Sequence, residues 1–104
     1  MLEKKLFKNA EEAEESIMEY EKEYLKVRHK LSKGEEVAGD VHRYNEWIIL
    51  PRDFGKCIIA VDDSSEVVEL SRENVIVVFV PAGSKHSFEA LSDISYLVLK
   101  DGLD

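Results

Sequence analysis

Two periodicities divide the chain. In residues 1–24, apolar or small side chains recur at Leu6, Ala10, Ala13, Ile17, Tyr20 and Tyr24. Steps of three and four draw one narrow stripe on a helix. Asn9 stands where a cap belongs, and Glu12 follows at the spacing of a capping box. Glu11, Glu12, Glu14 and Glu15 fall near the positive end of the helix dipole. The pattern predicts a helix from about Ala10 to about Tyr20, resting by its stripe on something larger. From Tyr24 the period becomes two: Leu25, Val27, His29 and Leu31 share one face, while Lys26, Arg28 and Lys30 share the other. Further strands are predicted at Val37–Arg43, Glu46–Leu50, Lys56–Val61, Glu66–Leu70, Val75–Val80, His86–Ala90 and Ser95–Leu99. Turn chemistry separates most of them, as in Ser32-Lys-Gly34, Pro51-Arg-Asp-Phe-Gly55 and Pro81-Ala-Gly83. Short strands at near-regular spacing predict an all-β sandwich or barrel behind a short N-terminal α-helix.

Length and composition narrow the class. At 104 residues the chain is one domain, because halves of about 50 residues would have marginal cores. The expected organisation is an N-terminal helical segment over 1–23 and a barrel over 24–104. Apolar residues at 44% and charged residues at 35% mark a soluble globular chain. No apolar run reaches the roughly 18 residues of a membrane helix. The N-terminus lacks a signal-like apolar core, so a cytoplasmic chain is expected. The formal charge is −8, and neither the first 36 residues nor the rest is basic. Nucleic acid and anionic membranes are therefore not expected partners. Cys57 is the sole cysteine, which rules out an internal disulfide and any CxxC motif. Fifteen Glu beside no Gln hint at a thermophilic composition.

Side chains that bind metals are few after residue 36, and they cluster. Asp40, His42 and Glu46 lie within seven residues, and their common parity directs them to one side of a strand. They can also converge across a turn near Tyr44-Asn45. His86 follows a Pro-Ala-Gly-Ser-Lys turn at the start of another strand. Two imidazoles and two carboxylates form a mixed N/O set suited to Fe(II), Mn(II), Ni(II), Co(II) or Zn(II). Glu46 opens the apolar run Trp47-Ile-Ile-Leu50, and a carboxylate buried there needs a partner. Asp40 reads equally well as a ligand or as an exposed turn residue. His29, on an apolar strand face, reads first as a core histidine; its site role would be a hydrogen-bond donor to substrate. Tyr44 and Phe88 suit a pocket lining or the core. Arg52, with Arg43 and Lys85, suits an anionic substrate group or a solvated rim.

These residues carry a family resemblance. Gly34-x5-Asp40-x-His42-x3-Glu46-x6-Asp53 resembles the first cupin motif, G-x5-H-x-H-x3,4-E-x6-G. Val80-Pro-Ala-Gly83-Ser-Lys-His86-Ser-Phe88 is similar to the core of the second, P-x-G-x2-H. The resemblance runs from Lys26 to Lys100, about three quarters of the chain. It implies a double-stranded β-helix (jelly-roll) barrel with a divalent metal in its mouth, held by Asp40, His42, Glu46 and His86. Asp40 stands where the family has its first histidine, and Asp53 where it has a closing glycine. Without Asp40, the other three form a two-His-one-carboxylate set. The resemblance implies a small polar metabolite as ligand or substrate: an organic acid, a sugar or a thiol. It covers both metal-dependent enzymes (dioxygenases, isomerases or epimerases, decarboxylases) and non-catalytic binding or sensing modules. A homodimer is expected, because small barrels leave apolar edges and faces that a second copy can cover.

Overall fold

The computed structural model describes residues 2–103. In chain order the elements are β1 (Glu3–Phe7), α1 (Ala10–Ile17), β2 (Leu25–Leu31), β3 (Glu36–Val41), β4 (Glu46–Leu50), β5 (Lys56–Val61), β6 (Ser64–Glu69), β7 (Val75–Val80), β8 (Lys85–Ala90) and β9 (Ile94–Lys100). The strands form two antiparallel sheets, one ordered β1-β7-β4-β9-β2 and the other β3-β8-β5-β6. This is the jelly-roll architecture expected of the sequence. Among the described residues, no helix is long and apolar enough to cross a membrane.

Alternation assigns each side chain to a layer. Ile48 and Leu50 of β4, Ile76, Val78 and Val80 of β7, and Tyr96 and Val98 of β9 face inward. They meet Cys57, Ile59, Phe88 and Ala90 of the second sheet. Burial holds the Cys57 thiol up at about 12, so it behaves as a small hydrophobe. The opposite parity of the five-stranded sheet builds a second cluster. Ile49, Val75, Val77 and Leu99 pack with Ala13, Ile17 and Trp47 under α1. Trp47 therefore points away from Glu46, into the helix contact.

The N-terminal segment differs from its periodicity in two respects. Glu3–Phe7 is a strand paired with β7 across five residues, so Leu6 is not part of the helical stripe. The helix ends at Ile17 rather than near Tyr20, where Met18 turns extended and its N–H closes onto the Glu14 carbonyl. Its start is as expected: Asn9 Oδ1 accepts from the Glu12 N–H at 2.8 Å.

A bulge in β3 shapes the end of the barrel where the candidate residues gather. Val37 pairs with Phe88, but the next pair is Asp40 with His86. Three steps on β3 oppose two on β8, so Val37 and Asp40 turn to the same inner face. Gly39 lies inside this bulge at φ +78°, a conformation that suits glycine.

Candidate metal centre

Three segments deliver the candidate ligands. Glu46 is the first residue of β4, in the middle of the five-stranded sheet, and is only 5% exposed. His86 is the second residue of β8, in the other sheet. His42 lies just past β3, in the loop that crosses between the sheets. That loop is pinned at both ends. The Gly83 N–H donates to the His42 carbonyl at 2.8 Å, so the turn that leads to His86 also fixes the backbone of His42. Gly83 makes this approach at φ +82°. Asn45 donates from its backbone N–H and Nδ2 to the Asp101 carboxylate at 2.8 and 2.9 Å. Its Oδ1 accepts from the Ala82 N–H at 2.8 Å.

The side chains then meet. Glu46 Oε2 is 3.1 Å from His86 Nε2, and Glu46 Oε1 is 3.7 Å from His42 Nε2. One donor atom from each of the three residues lies within 4.8 Å of the others. Donors sharing an ion at about 2.0–2.3 Å sit roughly 2.8–4.6 Å apart, and both Glu46–imidazole separations, 3.1 and 3.7 Å, fall in that range. Two imidazoles and one carboxylate are also a suitable donor set for a divalent transition ion.

The electrostatics are those of a paired buried carboxylate. Burial pulls Glu46 upward, but the His86 hydrogen bond and charge, with His42 and Lys100, hold it below the ordinary Glu value. The hydrogen bond to Glu46 holds His86 above the ordinary His value, against the opposing effect of burial. His86 Nδ1 is buried outside hydrogen-bonding geometry, with a weaker upward pull from the Ser84 backbone. The ring's orientation therefore rests on packing and on Nε2.

The remaining sequence candidates divide. Asp40 lines the same pocket and faces His86 across the strand pair, but its carboxylate lies outside the three-residue group. His29 and Phe88 also line the pocket. The His29 ring stacks on Tyr96 at 5.0 Å, and the Phe88 ring stacks on Tyr96 at 4.2 Å. Tyr44 is buried, with its ring stacked 4.6 Å from that of His42, and is not among the pocket-lining residues. Arg52 is not brought to the site. It is exposed in the β4–β5 loop, past the end of β4 opposite to Glu46. Two contributors escaped the sequence reading. Lys100 ends β9 beside Glu46, with Nζ 4.0 Å from Oε1. The Asn45–Asp101 clasp has no motif of its own; only the Asx chemistry of a turn residue hinted at it.

No family model and no curated protein matches the chain. Solved structures do. A predicted oxalate decarboxylase from Thermotoga maritima is 24% identical with a TM-score of 0.62, the match covering 76% of this chain and 66% of that one. RmlC from Streptococcus suis in complex with dTDP-D-xylose is 19% identical with a TM-score of 0.62, over 78% of this chain and 45% of that one. An RmlC-like cupin from Shewanella frigidimarina is 15% identical with a TM-score of 0.64, over 99% and 78%. The chain thus spans just under two thirds of the first of these and under half of the second. The class these matches define is the cupin fold, and the motif resemblance in the sequence extends to the whole two-sheet barrel. Within that fold, His42, Glu46 and His86 form a group that could hold a metal ion.

Proposed function

We propose that this chain is a metal-binding cupin module that holds one divalent ion through His42, Glu46 and His86 and binds or acts on a small polar metabolite there. The observation that carries the proposal is Glu46: a carboxylate 5% exposed, at the head of an apolar strand, with an imidazole nitrogen on each oxygen. A carboxylate is costly to bury without such partners. Once bound, the ion would supply Lewis acidity or a redox centre. Fe, Mn, Ni, Co and Zn all suit the donor set. Asp40 is left at the rim as an outer carboxylate.

The chain's own residues set the size of the ligand. The pocket is about 80 Å³. Sites for drug-sized ligands are roughly 300–1,000 Å³, so a nucleotide sugar would leave most of itself outside. Tyr96 and Phe88, both buried and stacked on each other at 4.2 Å, line the pocket with apolar rings.

Metal analysis of tag-free protein tests the proposal beside His86→Ala and the milder His86→Gln. Wild type is expected to carry about one ion per chain, and both variants far less. Equal, substoichiometric metal in all three ends the proposal.

A further inference from the structure

Lys100 is the inner-face residue that closes β9, by the same parity that turns Tyr96 and Val98 inward. It pairs with Glu46 across the strands and lines the pocket with it. Its side chain is 20% exposed, and its Nζ lies 5.3 Å from the centre of the Tyr44 ring. Its ion-pair partner among the described residues is Glu46 Oε1, at the 4.0 Å limit of an ion pair. The neighbouring Asp101 is taken up by Asn45 and Lys22. With its carboxylate partner at that limit, the Lys100 ammonium keeps N–H donors available for a closer anion. Binding a divalent ion weakens the pairing further, because the Glu46 charge then serves the ion. The ion and Lys100 together outweigh Glu46 and Asp40 by one positive charge, in a pocket of about 80 Å³.

We propose that Lys100 anchors the carboxylate of a small acid, so that the ligand class is a carboxylic-acid anion with a second oxygen donor, such as a 2-hydroxy acid. The acid lies between Lys100 and the His42–Glu46–His86 group. This rests on the metal reading and narrows its ligand from polar metabolites in general to anions, over neutral sugars and diols. Lys100 is a binding residue here, not only a counter-charge for Glu46.

The test uses full-length protein loaded with Co(II), whose visible spectrum reports the ligand set, and calorimetric titration with glycolate and with neutral glycolamide. Lys100→Met and Lys100→Arg are compared with wild type. Wild type is expected to bind glycolate more tightly than glycolamide. Lys100→Met should keep the Co(II) spectrum and lose about tenfold or more in glycolate affinity, with glycolamide unchanged. Lys100→Arg, which keeps the charge, should recover most of the loss. Unchanged glycolate binding in Lys100→Met, or equal binding of both probes by wild type, overturns the inference while the metal reading stands. A wild type that takes up no Co(II) overturns the metal reading and this inference with it.

Discussion

His29 lies with its ring nearly parallel to that of Tyr96, 12° off plane, on the inner face of edge strand β2. Burial, then the nearby Lys100 charge, holds its pKa below the ordinary 6.5. The fold thus prefers the neutral ring. Above pH 6.5 both folded and unfolded chains carry neutral His29, and this contribution to stability is present in full. As pH falls from 6.5 through the folded value, the unfolded chain takes up the proton first and the contribution is lost. His29→Phe keeps the stack and removes the titration. Thermal melts between pH 7 and pH 5 should therefore fall more steeply for wild type than for the variant; parallel curves would refute this. At this scale the site was legible where chemistry and spacing coincide, at His42, Glu46 and His86. Lys100 was not, because a lysine beside an aspartate at a strand end resembles any solvated tip. Asp40 faces inward as its parity suggested, but through the bulge at Gly39, since β3 ends before His42.

Elements were legible in proportion to their burial. β4, β5 and β7 have the predicted bounds, because their apolar runs are confined by turns on both sides. β1 was hidden. Glu3 to Leu6 are exposed, so no alternation marks them, and the strand exists through β7. It is also tied to the second sheet: Glu66 of β6 accepts from the Leu2 N–H at 2.9 Å and pairs with Lys4 at 3.2 Å. The helix stop was hidden for a related reason, as no Gly or Pro follows Ile17 to end the pattern. The helix itself depends on a small residue. Ala13 is fully buried against Ile49, Val75, Val77 and Leu99. Ala13→Leu must push α1 off the sheet or strain the contact, at a cost of about 1–3 kcal/mol. Chemical denaturation should show that loss, with metal content equal to wild type. An unchanged midpoint would mean that the helix contact is slack.

At the scale of the whole molecule, the candidate centre lies at a junction between the two sheets. Glu46 belongs to one sheet and His86 to the other, while His42 sits on the loop that crosses between them. At the opposite edge, Glu66 joins the sheets through Leu2 and Lys4. An ion shared by His42, Glu46 and His86 would cross-link the two layers at one end of the barrel. The unfolded chain cannot hold those three side chains together, so such an ion would bind the folded state preferentially. At a free metal concentration about 100-fold above Kd, such binding adds about 2.7 kcal/mol of stability. For a domain of this size each kcal/mol raises Tm by about 4–8 °C, so an increase on the order of 10–20 °C is expected. Chelator should reverse it, and raising the free metal tenfold should add a further increment of constant size. Glu46→Gln removes the central charge and should abolish the metal-dependent increase, whatever its effect on the metal-free melt. An equal metal-induced increase in wild type and Glu46→Gln would place the binding elsewhere on this acidic chain and remove the ion from the junction between the sheets.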